Sequence, residues 1–158
     1  MKIIFTLLVC CCFQYSFAQK LDIKSLEKIL FSSVRSADSL LKKSGFSLSD
    51  KTKGEGYTNY YYTSYERQDL VKHMLRSVSF MDVYTGSDTS RLVLYRTYYE
   101  NEQEEMKKQL LASGYKLFKS SDNNFIYKKE NYTITNRITE KTVTGSKPMM
   151  AYEFELGR

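Results

Sequence analysis

Groups that could carry out catalysis are few in this chain. His73 is the single histidine among 158 residues, so a serine nucleophile activated by an imidazole would depend on it. The sequence contains no Gly-x-Ser-x-Gly turn to present such a nucleophile. Glu153 and Glu155 share one face of a predicted strand, as paired carboxylates for glycoside hydrolysis would, but side chains on that face normally meet solvent. We therefore expect no catalytic residue and a protein that is not an enzyme.

Ligands for a metal or a cofactor are equally sparse. Cys10, Cys11 and Cys12 are the only cysteines, and all three lie in the first 18 residues. One histidine cannot form a transition-metal site, and the acidic residues do not have the spacing of a calcium-binding EF-hand loop. The glycines occur singly and include no phosphate-binding loop. The sequence therefore predicts no metal site and no cofactor.

Binding is the chemistry that the residue types favour. Tyr60, Tyr61, Tyr62 and Tyr65, with Arg67 close by, concentrate large and rigid side chains in one predicted strand. The alternation of a strand places Tyr60 and Tyr62 on one face and Tyr61 and Tyr65 on the other. Aromatic residues and arginine are enriched at the centres of protein interfaces. One set then belongs to the core and the other to a recognition surface; the alternative is that both sets pack between helix and sheet.

A helix is predicted over 22–44, before this strand in the sequence. Apolar residues recur there at every third or fourth position, which is typical of one buried helix face. Asp22 is suited to cap the amino end, and Gly45 to end the helix with a positive φ angle. We expect one continuous helix between these two residues.

A second helix is predicted to begin at Asn101. Glu104 follows three residues later, which gives a variant of the capping box, and a pair with Lys108 one turn further on. The apolar side of this helix is expected to comprise Met106, Leu110 and Leu111.

Sequence rich in strand-forming residues follows each helix. Alternating apolar and polar residues, bounded by turn formers, predict three strands in each half. The ranges are 57–66, 75–84 and 91–99 after the first helix, and 125–129, 132–143 and 149–156 after the second. In the last strand Tyr152, Phe154 and Leu156 are expected to be buried, and the residues between them to meet solvent. The predicted fold is α+β: two helix-plus-three-strand units in tandem, with the helices packed on one face of antiparallel sheet.

The two helix exits read Ser-Gly-aromatic, with Gly45 and Gly114 separated by 69 residues. This repeat is consistent with an internal duplication into halves 22–99 and 100–158, and coincidence is the alternative because such exits are common. The period is too long for a solenoid repeat. In layout, the tandem plan resembles small periplasmic inhibitor and binding proteins such as the β-lactamase-inhibitor-like group. The resemblance is one of layout and transfers no residue roles.

Residues 1–18 predict a cleaved secretory signal peptide. Lys2 precedes an uncharged apolar run that ends at Phe13, and small residues lead to a cleavage site after Ala18. The run is shorter than the about 20 apolar residues of a membrane span, so no stable span is expected. Acylation of Cys10 as a lipoprotein is an alternative, disfavoured because the residue before it is not small. Residues 19–158 then form a single α+β domain, periplasmic or secreted.

Charge and composition narrow the choice of partner. The net charge is +6, but the basic residues are scattered among acidic ones and form no stripe, so nucleic acid is not expected. The leading hypothesis is a non-enzymatic module of the bacterial envelope that binds another envelope or secreted protein, as an inhibitor or immunity protein does. The alternatives are a ligand-binding protein for an envelope glycan or lipid, and an enzyme built on His73. The sequence does not specify the oligomeric state.

Overall fold

A computed structural model describes residues 20–68, 71–141 and 149–157. The predicted signal peptide over 1–18 lies outside this part of the chain. The helices described are α1 (Ile23–Phe31), α2 (Val34–Lys43) and α3 (Glu100–Ala112). The strands are β1 (Ser47–Gly54), β2 (Tyr57–Gln68), β3 (Val71–Thr85), β4 (Asp88–Thr97), β5 (Lys116–Ser121), β6 (Asn124–Lys129), β7 (Tyr132–Lys141) and β8 (Met149–Gly157).

One antiparallel sheet contains all eight of these strands, in the order β1-β2-β3-β4-β8-β7-β6-β5. The predicted fold of two helix-plus-three-strand units is therefore wrong, because four strands follow each helical segment and join into a single sheet at β4 and β8. The missed strands, β1 and β5, are the two edges. Their side chains are exposed almost throughout, so they lack the apolar alternation that marks a half-buried strand.

The predicted single helix over 22–44 is also wrong, since α1 and α2 are separated by Ser32 and Ser33. Ser32 is extended, with ψ at 165°, and the Ser33 hydroxyl accepts a hydrogen bond from the backbone N–H of Ser36 at 3.2 Å. A serine side chain that bonds the backbone in this way favours a new helix start over a helix interior. The break lets α1 and α2 cover different strands, because α1 contacts β4 and β8 whereas α2 contacts β1.

The amino end of α1 is capped as expected. The Asp22 carboxylate accepts a hydrogen bond from the Ser25 N–H at 2.7 Å, and this bond lowers the pKa of Asp22 against the opposing effect of burial. Replacing Asp22 with alanine should lower the free energy of unfolding by about 1 kcal/mol, measured by urea denaturation. Lys24→Ala, an exposed change in the same helix, is the control and should alter it by less than about 0.5 kcal/mol. Equal effects of the two variants would contradict the cap.

Helix α3 differs from its prediction at both ends. It begins at Glu100 after Tyr99 and has no side-chain cap, so the capping box at Asn101 is wrong. Met106 and Leu110 are buried as expected, whereas Leu111 is 56 % exposed. Two polar residues, Glu102 and Gln103, are buried in its place. The apolar pattern therefore located part of the buried side of α3 but not its polar members.

The core lies between the helices and one face of the sheet. Each helix reaches that face through a polar contact as well as through apolar packing. The Tyr62 hydroxyl donates to Asp38 of α2 at 2.9 Å, and the Tyr95 hydroxyl donates to Glu102 of α3 at 3.1 Å. Arg91 donates to the carbonyl oxygen of Ile29 in α1 at 2.8 Å. The largest fully buried side chains of the sheet are Tyr62, Phe80, Tyr95, Ile134, Phe154 and Leu156.

Candidate functional site

Strand β2 divides its tyrosines between the two faces of the sheet. Tyr60 and Tyr62 lie on the helix-covered face, opposite Phe80 and Val78 of β3. Tyr61, one residue out of phase, lies on the other face, which no helix of the described residues covers. We call that second face the open face. Its members in β2 follow the same alternation: Tyr57, Asn59, Tyr61, Thr63 and Tyr65.

Tyr62 belongs to the core, and Tyr60 is half-buried and packs against that core. The Tyr60 ring stacks on Phe80 with the ring centroids 4.7 Å apart, and Tyr62 is 1 % exposed. Burial and the hydrogen bond to Asp38 both raise the pKa of Tyr62. Two of the predicted binding residues are thus positioned to stabilise the fold, and a partner cannot reach Tyr62 without unfolding it.

Tyr61 and Tyr65 lie where a partner could reach them. Tyr61 is half-buried and its hydroxyl approaches the Met74 sulfur at 3.7 Å, while Tyr65 is 43 % exposed and stands opposite Met74. Arg67 pairs with Lys72 in the strand ladder, and its side chain lies outside the described residues. The alternation predicted from sequence thus separates the four tyrosines as the strand pairing does.

A shallow cavity of about 370 Å³ opens on the same face. Its apolar lining comes from Tyr57, Met81, Leu92 and Leu94, and its polar lining from Thr52, Asn59, Ser79 and Glu155. The sequence does not predict that these residues form a site, because a half-exposed leucine or methionine in a strand has no distinctive sequence pattern. Only the pairing of β2, β3 and β4 shows that they surround one space.

Paired charges form the centre of the open face, at the junction of β4 and β8. Arg96 donates to Glu153 at 2.8 Å, and Arg137 of β7 lies 2.9 Å from Glu155. Glu153 is only 6 % exposed, so the prediction that it meets solvent is wrong. It is buried because β8 is a central strand, flanked on both sides by long basic side chains. Charge at the centre of this face is therefore largely neutralised within the protein.

Tyr98 extends the aromatic part of the open face beyond the end of β4. It follows Arg96 by two residues and interacts with both Arg96 and Tyr61. Burial raises the pKa of Tyr98, and the Arg96 guanidinium opposes that rise. A neutral hydroxyl group is therefore present here at neutral pH, beside the central ion pair.

Among the described residues, the fold does not bring the catalytic and metal-binding candidates together into a site. Glu153 pairs with Arg96, and Glu155 pairs with Arg137. His73 lies opposite Glu66 in the ladder, and its side chain is outside the described residues. Among the residues that are described, no three His, Cys, Asp or Glu side chains cluster as a metal site. Nor does that part of the chain contain a helix long and apolar enough to cross a membrane.

Comparison with known proteins gives no indication of function, so the open face is the main evidence for it. No family model, curated protein or solved structure matches this chain. The similarity in layout to the β-lactamase-inhibitor-like group therefore receives no support from relatives. Function has to be argued from the surface itself.

Proposed function

We propose that this protein is a non-enzymatic binding module that recognises a partner protein through the open face of its sheet. The observation that carries the proposal is the placement of the helices. All three described helices cover the opposite face, and each provides a buried contact there. The open face is left with tyrosines, a shallow cavity and internally paired charges.

The composition of this surface supports protein recognition. Tyr57, Tyr61, Tyr65 and Tyr98 present rings that lose little conformational entropy when they are immobilised, and each has a hydroxyl that tolerates water. The cavity is lined by Tyr57, Leu92, Leu94 and other groups, both apolar and polar, and suits one inserted apolar or aromatic side chain. The partner we propose therefore places such an anchor in the cavity.

The size of the open face is adequate for a stable complex. Eight strands at about 4.8 Å spacing span about 34 Å, and six residues of a strand cover about 20 Å. This outline of about 700 Å² is somewhat smaller than the about 800 Å² that each partner buries in an interface of ordinary size, and Thr63, Ser77 and Glu153 within it are buried. We further propose, on the basis of the signal peptide predicted over 1–18, that the encounter takes place in the periplasm or after secretion, with an inhibitor-like or immunity-like outcome.

A charge placed in the cavity tests the proposal. Protein with Leu94→Lys and Tyr61→Ala should recover a partner from envelope or secreted fractions at least about tenfold less well than the wild type does, because the anchor pocket is filled and a ring is lost. Tyr84→Ala is the matched control, since Tyr84 is 47 % exposed but lies outside the open face. Circular dichroism must show that every variant unfolds cooperatively.

Quantitative capture separates the outcomes. Recovery of the same protein by wild type and Tyr84→Ala, and its loss from the doubly substituted protein, supports recognition through the open face. Equal recovery by all three folded proteins would exclude this face as the binding surface.

A further inference from the structure

A second concave feature lies in the helical layer, away from the open face. It is a cleft of about 500 Å³ formed by α1 and α2. Three basic side chains line it, Lys28 from α1 and Arg35 and Lys43 from α2, together with three serine hydroxyl groups and Leu40. No acidic residue contributes to the lining. We call this feature the basic cleft.

The cations of the basic cleft have no ion-pair partners among the described residues. The acidic residue of α2, Asp38, is committed elsewhere, because it pairs with Lys42 at 2.9 Å and accepts the Tyr62 hydroxyl. Lys28, Arg35 and Lys43 form no salt bridge in the described chain. Positive charges gathered without neutralisation repel one another, which favours binding of an anion between them.

Helix stability accounts for two of these cations but not for the third. Lys28 and Lys43 lie in the last turns of their helices, where positive charge interacts well with the helix dipole. Arg35 lies in the first turn of α2, where a cation is unfavourable and where no acidic residue is present. The helix dipole therefore gives no stabilising reason for a cation at Arg35.

We propose that the basic cleft binds a small organic molecule that carries a phosphate group. A phosphate monoester bears a charge near −2 at neutral pH, which matches three cations better than a single carboxylate does. Serine hydroxyls can donate to its oxygens, and Leu40 offers an apolar contact for the carbon skeleton. The cleft volume falls in the range of small-molecule sites. This site is independent of the open face and of the partner proposed for it.

Titration calorimetry with inorganic pyrophosphate as the probe tests the charge requirement. Neutralising the cleft with Lys28→Gln, Arg35→Gln and Lys43→Gln should raise the Kd at least about tenfold. The matched control is Lys108→Gln, Lys116→Gln and Lys119→Gln, which changes net charge equally on α3 and β5, where these lysines are exposed. The control should bind like the wild type.

The two triple variants decide the matter. Loss of binding in the cleft variant alone supports the site. Equal weakening of pyrophosphate binding in the cleft variant and the control variant would overturn it. It would also be overturned if the wild type bound neither pyrophosphate nor phosphatidylglycerol vesicles. Sedimentation with phosphatidylglycerol vesicles distinguishes the phosphate source, with phosphatidylcholine vesicles as the neutral reference. Vesicle binding that requires the three cleft cations identifies a lipid headgroup, and pyrophosphate binding without it identifies a soluble ligand.

Discussion

Replacing Glu102 with alanine should lower the free energy of unfolding by about 3–5 kcal/mol, because it removes a buried carboxylate that pairs with Arg76 and accepts hydrogen bonds from two buried hydroxyl groups. Both carboxylate oxygens of Glu102 accept hydrogen bonds from Arg76, at 3.0–3.1 Å from Nε. The Thr97 and Tyr95 hydroxyls donate to the same carboxylate at 2.8 and 3.1 Å. The two charged side chains are only 8 % and 12 % exposed, so water cannot replace these partners. Urea denaturation measures the loss.

Glu104→Ala is the matched control, since Glu104 lies two residues away on the exposed side of α3. Its partner is Lys107, three residues on, and not the predicted Lys108. A surface pair of this kind contributes about 0.5 kcal/mol or less. If Glu102→Ala cost no more than Glu104→Ala, the buried ion pair would not hold α3 on the sheet.

The same carboxylate should make stability depend on pH. Burial alone would raise the pKa of Glu102, but hydrogen bonds from Arg76 and Thr97 outweigh burial and hold this pKa below its ordinary value near 4.5. Its contribution is therefore complete above about pH 4.5 and is lost as pH falls through the lower folded-state value. Between about pH 5 and about pH 3 the wild type should lose more stability than Glu102→Gln, in which the group cannot titrate. Parallel pH profiles would contradict this assignment.

Glu102 also shows what sequence reasoning could and could not obtain. The apolar residues Met106 and Leu110 identified α3 and part of its buried side. Periodicity gave no reason to bury Glu102, because its partner Arg76 lies on strand β3, 26 residues away. The spacing of apolar residues predicts which apolar side chains are buried. It does not predict the burial of a charged side chain whose hydrogen-bond partners are distant in the sequence.

The open face illustrates the same limit on function. Alternation along β2 separated Tyr61 and Tyr65 from Tyr62 without any structure, because a strand has only two faces. Which face the helices cover depends on contacts such as Tyr62 with Asp38, 24 residues apart. The cavity requires the register of β2, β3 and β4, which turn chemistry and local propensity do not specify over such distances. The sequence therefore predicted which tyrosines share a face, but not which face is open or which residues surround the cavity.

The edge strands were missed for a different physical reason. β1 and β5 are recruited by backbone pairing with β2 and β6, and their side chains cover little of the core. Lysines and a register shift in each strand disfavour further pairing with other chains. Such sequences resemble loops when they are judged by side chains alone, although the ladder makes them strands.

Replacing Arg91 with alanine should produce the second large loss, about 3–5 kcal/mol, because a single side chain satisfies two elements at once. Its guanidinium pairs with Asp82 through both oxygens, at 2.5 and 3.0 Å. The third nitrogen donates to the carbonyl oxygens of Ile29 and Ser32 at 2.8 and 2.6 Å. The change therefore leaves a carboxylate that is 6 % exposed and the carboxyl end of α1 without partners.

Lysine at position 91 distinguishes geometry from charge. Lys retains the positive charge but cannot form the forked contact with Asp82 and reach both carbonyl groups at the same time. We expect Arg91→Lys to recover less than half of the stability lost in Arg91→Ala, measured by urea denaturation. Because Asp82 and Arg91 contact each other, the combination of Asp82→Asn with Arg91→Ala should lower stability by less than the sum of the two single changes. Arg35→Ala, at the exposed basic cleft, is the control and should change stability by less than about 0.5 kcal/mol. Full rescue by lysine would mean that charge alone matters, and the forked contact with Asp82 and the two carbonyl groups would then add nothing measurable.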